Sequence, residues 1–283
     1  MATTAKPLVE ALRRVTEGRI YDLCSGWWHG MPLSSDHPPF AVLSYRTPRG
    51  QRNQRDLRLL DDNRVNFGFI SELVMCTTHS GTHIDALGHI TCGPDSTWHG
   101  GYPADAHLGD FGLLRSDASE LAPIFARGVL LDVPRALDLA QLHPHQPIGP
   151  EELEGACRRQ RVELAERDVV LIRTGTMRHW PDQQAMASCE GAGLSLEGAE
   201  WLVPQRPLAL GGDNVALEVS PSGRPGDPQP VHRFVIQESG IPILEWVYLE
   251  ELAREEVYEF LFVCIPLPIR GATGSLIRPL ALV

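Results

Sequence analysis

The sequence predicts an α/β fold in which short buried strands alternate with helices. Three observations carry this. Apolar runs recur through the second half of the chain, at 128–133, 168–174, 207–213, 241–246 and 257–265. Charged, helix-forming segments separate them, and Gly or Pro punctuates the joints. Such alternation implies at least some parallel pairing. The chain has 283 residues, of which 43% are hydrophobic and 22% charged. That is a globular composition, and with neither linker nor repeat it fits one domain over 1–283.

Taken in order, residues 4–17 predict a helix, because Leu8, Leu12 and Val15 recur at spacings of four and three. Ile20-Tyr21-Asp22-Leu23 reads as a short first strand. Residues 24–66, rich in Gly, Pro, Ser, Asp and Arg, read as an irregular lid or pocket loop. Trp27, Trp28 and Phe40 lie in that loop and, with Trp98, are candidate walls of a pocket for a planar or cyclic substrate. Gly128–Val133 is a buried strand. Pro150 suits a first helical position and Glu151-Glu152 suit its positive end, so a helix runs to about Gln160. Strands follow at Asp168–Thr174 and Pro207–Asp213, with a helix from Leu196 to Leu202 between them. Val231–Ser239 reads as a helix stopped by Gly240, at a position where left-handed backbone is needed. Ile241–Trp246 is a strand, Leu249–Glu255 a charged helix, and Val257–Ile265 a last strand.

The formal net charge is -11, from 36 acidic and 25 basic residues. An acidic surface disfavours nucleic acid and anionic membrane as partners. The six cysteines are scattered with no C-x-x-C pair, the pattern of reduced thiols in a cytoplasmic protein. The first residues lack the pattern of a signal peptide, and no apolar run is long enough to span a membrane.

The chemistry concentrates in His79-Ser80-Gly81-Thr82-His83-Ile84-Asp85-Ala86-Leu87-Gly88-His89. Imidazole nitrogen and carboxylate oxygen are ligands for divalent transition metals. Side chains two apart on an extended segment share a face, so His83 and Asp85 converge while Ile84 points into the core. Gly81 and Thr82 are poor helix formers, so a tight turn at Ser80-Gly81 has to fold His79 back over His83. His89 can serve as a fourth ligand or as a proton shuttle. The shuttle is preferred, because a hydrolytic site keeps one coordination position open. Other templates are missing: H-E-x-x-H, G-x-S-x-G, the phosphate-binding loop and G-x-G-x-x-G are all absent from the sequence.

The run His79-x-Gly81-Thr82-His83-x-Asp85-x-x-x-His89 resembles the signature of the cyclase-like metal-dependent hydrolases. Kynurenine formamidase, isatin hydrolase and trans-dienelactone hydrolase belong to that family. Tyr21-Asp22-Leu23 with Gly30-Met31-Pro32, the turn Gly211-Gly212-Asp213, and Gly271–Ser275 followed by Arg278-Pro279 extend the resemblance over nearly the whole chain. It implies a swivelling β/β/α fold with a mixed sheet and surrounding helices. It also implies a divalent metal, Mn2+ or Zn2+, held by His79, His83 and Asp85, with His89 as general acid/base. In dinuclear members a further His and Glu complete a second site. The matching positions are His232, as a catalytic group, and Glu245, as a ligand. The implied reaction opens an amide, lactam, lactone or ester of a small cyclic or aromatic carbonyl compound, in a homodimer or higher homo-oligomer. An arylformamidase acting on N-formylkynurenine, and a metal-bearing binding protein without turnover, are the alternatives. The chain is longer than a typical formamidase of the family, which makes the lactone- and lactam-opening members the nearer likeness.

Overall fold

The computed structural model describes Val9, residues 12–55 and residues 62–283. Half of the helix predicted over 4–17 lies outside the described residues. The body is a nine-stranded mixed sheet among the described residues. Its strands are β1 (Ile20–Asp22), β2 (His83–Asp85), β3 (Ile124–Asp132), β4 (Val169–Arg173), β5 (Ala209–Gly212), β6 (Ile243–Glu245), β7 (Glu259–Cys264), β8 (Gly274–Leu276) and β9 (Leu280–Leu282). They lie in the order β1-β9-β7-β3-β4-β5-β6-β2-β8. The four central strands, β3 to β6, are parallel. Antiparallel strands extend the sheet on both sides.

The parallel strands alternate between two cores, as a pleated strand must. Val129, Leu131, Val170, Ile172, Leu210 and Ile243 face one of them. The helices Pro150–Gln160 and Leu196–Leu202 supply Leu153, Ala156 and Leu202 to that core. Leu130, Val169, Leu171, Ala209 and Leu244 face the other, against Ile84, Phe260, Phe262 and Ala281 from the antiparallel strands. Pro150 stands in the first helical turn, and Glu152 reaches back to accept from the Gly149 N–H at 2.8 Å. No helix among the described residues is long and apolar enough to cross a membrane.

Two stitches hold the carboxyl ends of the parallel strands together. Arg173, at the end of β4, is buried and donates to Asp132 at the end of β3 at 2.9 Å, and to both oxygens of Glu250 at 2.8 and 2.9 Å. Asp213, just past β5, accepts from the Thr174 N–H and hydroxyl at 2.7 Å each and from the Gly175 N–H at 2.8 Å. Every lone pair used here would otherwise be a buried orphan.

Three expectations need correction. The segment 24–66 is not irregular throughout. Ala41–Arg46 is a strand paired with Ser71–Met75, and Pro48–Asn53 is a helix capped by Thr47. Both faces of that hairpin are largely exposed, so the short alternation at Leu43-Ser44-Tyr45-Arg46 marks no buried face. The tail, where only a glycine-rich motif is expected, carries strands β8 and β9. The helix before Gly240 begins at Pro230 and widens to i→i+5 spacing over Arg233–Glu238, where Ser239 N–H donates to Phe234 O at 2.9 Å.

Gly128 tests the packing between β3 and β7. A Cβ there would sit 2.1 Å from the Phe260 ring. Gly128→Ala is expected to cost about 1–3 kcal/mol through overpacking. The check is the urea midpoint, with partial recovery in Gly128→Ala/Phe260→Leu; an unchanged midpoint refutes the close packing.

Candidate metal centre

Strand β2 lies between β6 and β8, with His83 directly opposite Glu245 and Asp85 opposite Gly274. His83 and Asp85 share one face, and Ile84 is fully buried on the other. The turn expected at Ser80-Gly81 is present, with Gly81 at φ +58°. A Cβ on Gly81 would lie 2.8 Å from Met31 Cε and 3.1 Å from Trp27 Nε1, so a side chain there would crowd its neighbours and would have to adopt the left-handed conformation that glycine takes freely. Gly274 is equally constrained: a Cβ there would meet the His79 ring at 2.7 Å and Ile84 O at 3.0 Å.

The turn brings His79 Nδ1 to 2.8 Å from Asp85 Oδ1. His83 Nε2 lies 3.5 Å from Asp85 Oδ1 and 3.3 Å from Glu245 Oε2. His232, from the widened helix, places Nε2 3.0 Å from Glu245 Oε1 and 3.9 Å from Asp85 Oδ2. His89 stacks on His79 with ring centroids 4.1 Å apart and meets His232 edge-on at 6.4 Å. Two triads of ligand atoms result, His79/Asp85/His89 and His83/Asp85/Glu245, and Asp85 belongs to both.

Their other ring atoms are committed elsewhere. His83 Nδ1 donates to Gly81 O at 2.7 Å, and His79 Nε2 is 2.8 Å from the Thr273 hydroxyl. This leaves His83 Nε2 and His79 Nδ1 facing the carboxylates, the orientation outer partners impose on metal-binding histidines. Close as they are, His79 Nδ1 and Asp85 Oδ1 make no hydrogen bond, and neither does Asp85 Oδ2, though all three atoms are buried. A buried carboxylate with two unsatisfied oxygens is strongly unfavourable. The donor set therefore fits a divalent cation.

The electrostatics agree. Burial alone would raise the pKa of Asp85, but the surrounding His89, His79 and His83 hold it well below the usual carboxylate range. Burial opposes charge on His83 and His232 too. The nearby carboxylates of Asp85 and Glu245 outweigh it for His83, and those of Glu218 and Glu245 for His232, raising both to about 10. His89 goes the other way: burial, with the His79 and His232 charges, pushes it down to about 4 against the pull of Asp85.

The aromatic candidates separate. Trp27 Nε1 donates to Ser80 O at 2.7 Å, so that ring braces the His79 turn. Trp28 is 37% exposed and stacks edge-on with Trp180, which stacks in turn on Trp246, next to Glu245. Phe40 is buried against an apolar cavity of about 500 Å3 that it shares with Trp27, Val74, Cys76 and Ile277. Trp98 is 1% exposed, packed beside Tyr102 and His107, and has no open face to offer a ligand. Sequence reading missed His37, whose ring stacks on His79 at 5.6 Å, and Glu218, which bonds His232. A single loop histidine carries no signal. An acid inside the apolar run Val215–Val219 does, because a buried carboxylate needs a partner.

Fold and site together define an α/β protein with a buried histidine–carboxylate centre at the strand ends of a curled mixed sheet. A family model described as Cyclase matches residues 21–219, and the chain belongs to that family. Cyclase-like protein 1 of Arabidopsis thaliana is 27% identical over 284 residues, spanning 97% of this chain and 88% of the relative. A crystal structure of a novel cyclase superposes with a TM-score of 0.84 at 26% identity, covering 99% of this chain and 94% of that one. Isatin hydrolase A from Ralstonia solanacearum has the same fold, with a TM-score of 0.68 at 20% identity and coverage of 100% and 98%.

Metal ligands bind as deprotonated groups, and in the ion-free protein His83 keeps its proton up to about pH 10. Uptake of Zn2+ at pH 7 is therefore expected to release protons, and affinity to rise with pH and fall as the solution is acidified. Calorimetry in buffers of different ionisation heat reads this directly; a buffer-independent heat contradicts it.

Proposed function

We propose that the protein is a metal-dependent hydrolase that opens an amide, lactam or lactone carbonyl. The carrying observation is Asp85, a buried carboxylate shared by two ligand triads, with neither oxygen hydrogen-bonded. His79, His83, Asp85 and Glu245 would hold the ion, Mn2+ or Zn2+; nitrogen and oxygen donors suit both. Two structural neighbours support the reading at the level of fold: isatin hydrolase A and a protein described as a potential metal-dependent hydrolase with cyclase activity.

A divalent ion in such a site supplies Lewis acidity, polarising a carbonyl and lowering the pKa of water. The chain's own groups do the rest. His89, pushed down to about 4, is neutral at pH 7 and free to accept a proton from the attacking water. It returns that proton to the departing nitrogen or oxygen. His232, across from His89, is the second imidazole able to hold a proton at the cluster. Thr273 and Gly81 O keep His79 and His83 from swinging, so the ligand atoms stay in place as charge develops. The rings of Trp28 and Trp180, backed by the buried Trp246, offer an apolar flank for a flat or cyclic substrate.

His83→Ala should lose both metal and activity. His89→Ala should retain metal and lose turnover by about 10²–10⁴-fold. Elemental analysis of each purified variant, with assays on formylkynurenine, isatin and a dienelactone, checks both. Loss of metal from His89→Ala as complete as from His83→Ala removes the proton-carrier role. Stoichiometric metal with no product from any of the three removes this substrate assignment.

A further inference from the structure

Glu218 lies outside both ligand triads, yet its carboxylate reaches their edge. The chain around it is tightly constrained. Leu217, immediately before it, sits at φ +54°, a conformation leucine rarely adopts, and is 1% exposed. Leu194 donates its N–H to Leu217 O at 2.9 Å, and Val219 donates its own to Leu194 O at 2.9 Å. A Cβ on Gly193 would lie 2.5 Å from Glu218 O, so the neighbouring segment can approach only as glycine. Held from both sides, the Glu218 side chain is buried and turned toward the start of the helix that carries His232.

There it accepts three N–H groups. Val231 N–H donates to Oε2 at 3.1 Å, His232 N–H to Oε1 at 3.1 Å, and the His232 ring donates from Nδ1 to Oε1. Among the described residues no Arg or Lys pairs with this carboxylate, so the His232 ring is the side chain that faces its charge. On the opposite side of that ring, Nε2 is 3.0 Å from Glu245 Oε1.

We propose that Glu218 is the positioning residue for His232. Both oxygens of this carboxylate already accept backbone N–H groups, so in the ring contact too Glu218 accepts and Nδ1 carries the proton. The ring is thereby fixed in rotation, and Nε2 is the nitrogen delivered to the Asp85–Glu245 side of the centre. The two backbone contacts tie the ring's own main chain to the same carboxylate, which makes Glu218 a single anchor for both the ring and the first turn beneath it. The kinetic part of this proposal rests on the hydrolase reading above; the orientation of the ring does not.

The test begins with the ion-free protein labelled with 15N-histidine. A downfield, slowly exchanging ring proton on His232 Nδ1 is expected, and Glu218→Gln should move it upfield or abolish it. Gln keeps the size but loses the charge and one acceptor. The same variant should weaken Zn2+ binding, read by chelator competition, or lower kcat with little change in KM, by about 10–100-fold. In a His232→Gln background, Glu218→Gln should cost nothing more. A carboxylate that merely capped the helix would cost the same in both backgrounds, and that result overturns the proposal. So does a wild-type His232 with no proton on Nδ1, a measurement that needs no variant to fold. If wild type turns over none of the three carbonyl substrates, the hydrolase reading fails while the Nδ1 proton and the Zn2+ comparison still decide the role of Glu218.

Discussion

The carboxylate of Asp85 is the constraint on which the site is built. It is fully buried, faces three histidines, and has no hydrogen-bond donor on either oxygen. Such a group is tolerable only where positive charge surrounds it. The elements around it read as consequences. Strand β2 is clamped between β6 and β8, which fixes where the carboxylate points. Gly274 leaves room for His79 to approach it, and Gly81 makes the turn that brings His79 there. His232 and Glu245 close the far side with their own 3.0 Å contact.

Much of this arrangement was written locally. The alternation of His83, Ile84 and Asp85 predicts two side chains on one face and one in the core, and the strand does that. Gly81 before a β-branched residue predicts the turn. The helix Pro150–Gln160 is legible because its proline, its early glutamates and its end all agree. The central parallel strands are legible as uninterrupted apolar runs, since both of their faces are covered.

What escaped detection has physical reasons. The hairpin of Ala41–Arg46 with Ser71–Met75 has two exposed faces and alternates only over Leu43–Arg46, too short a run to stand out in a Gly- and Pro-rich segment. Strands β8 and β9 are three residues each and are separated by Ile277-Arg278-Pro279, too short for a pattern to emerge. The Trp28–Trp180–Trp246 ladder joins distant segments, and nothing local to Trp180 announces it. Trp98 has the composition of a pocket wall and the environment of a core residue, a distinction only packing makes. Glu218 acquires its meaning from a histidine on a separate helix.

The pairing of His83 with Glu245 joins segments far apart along the chain. Contacts of such long sequence separation form late, because the intervening loop entropy must be overcome first. On the proposed function, an ion held by both strands would have little to grip while the chain is still collapsing. It would stabilise the finished state more than the barrier, and so would slow unfolding without hastening folding. The lifetime of the native chain, rather than the speed of reaching it, would then be the quantity that metal supply controls.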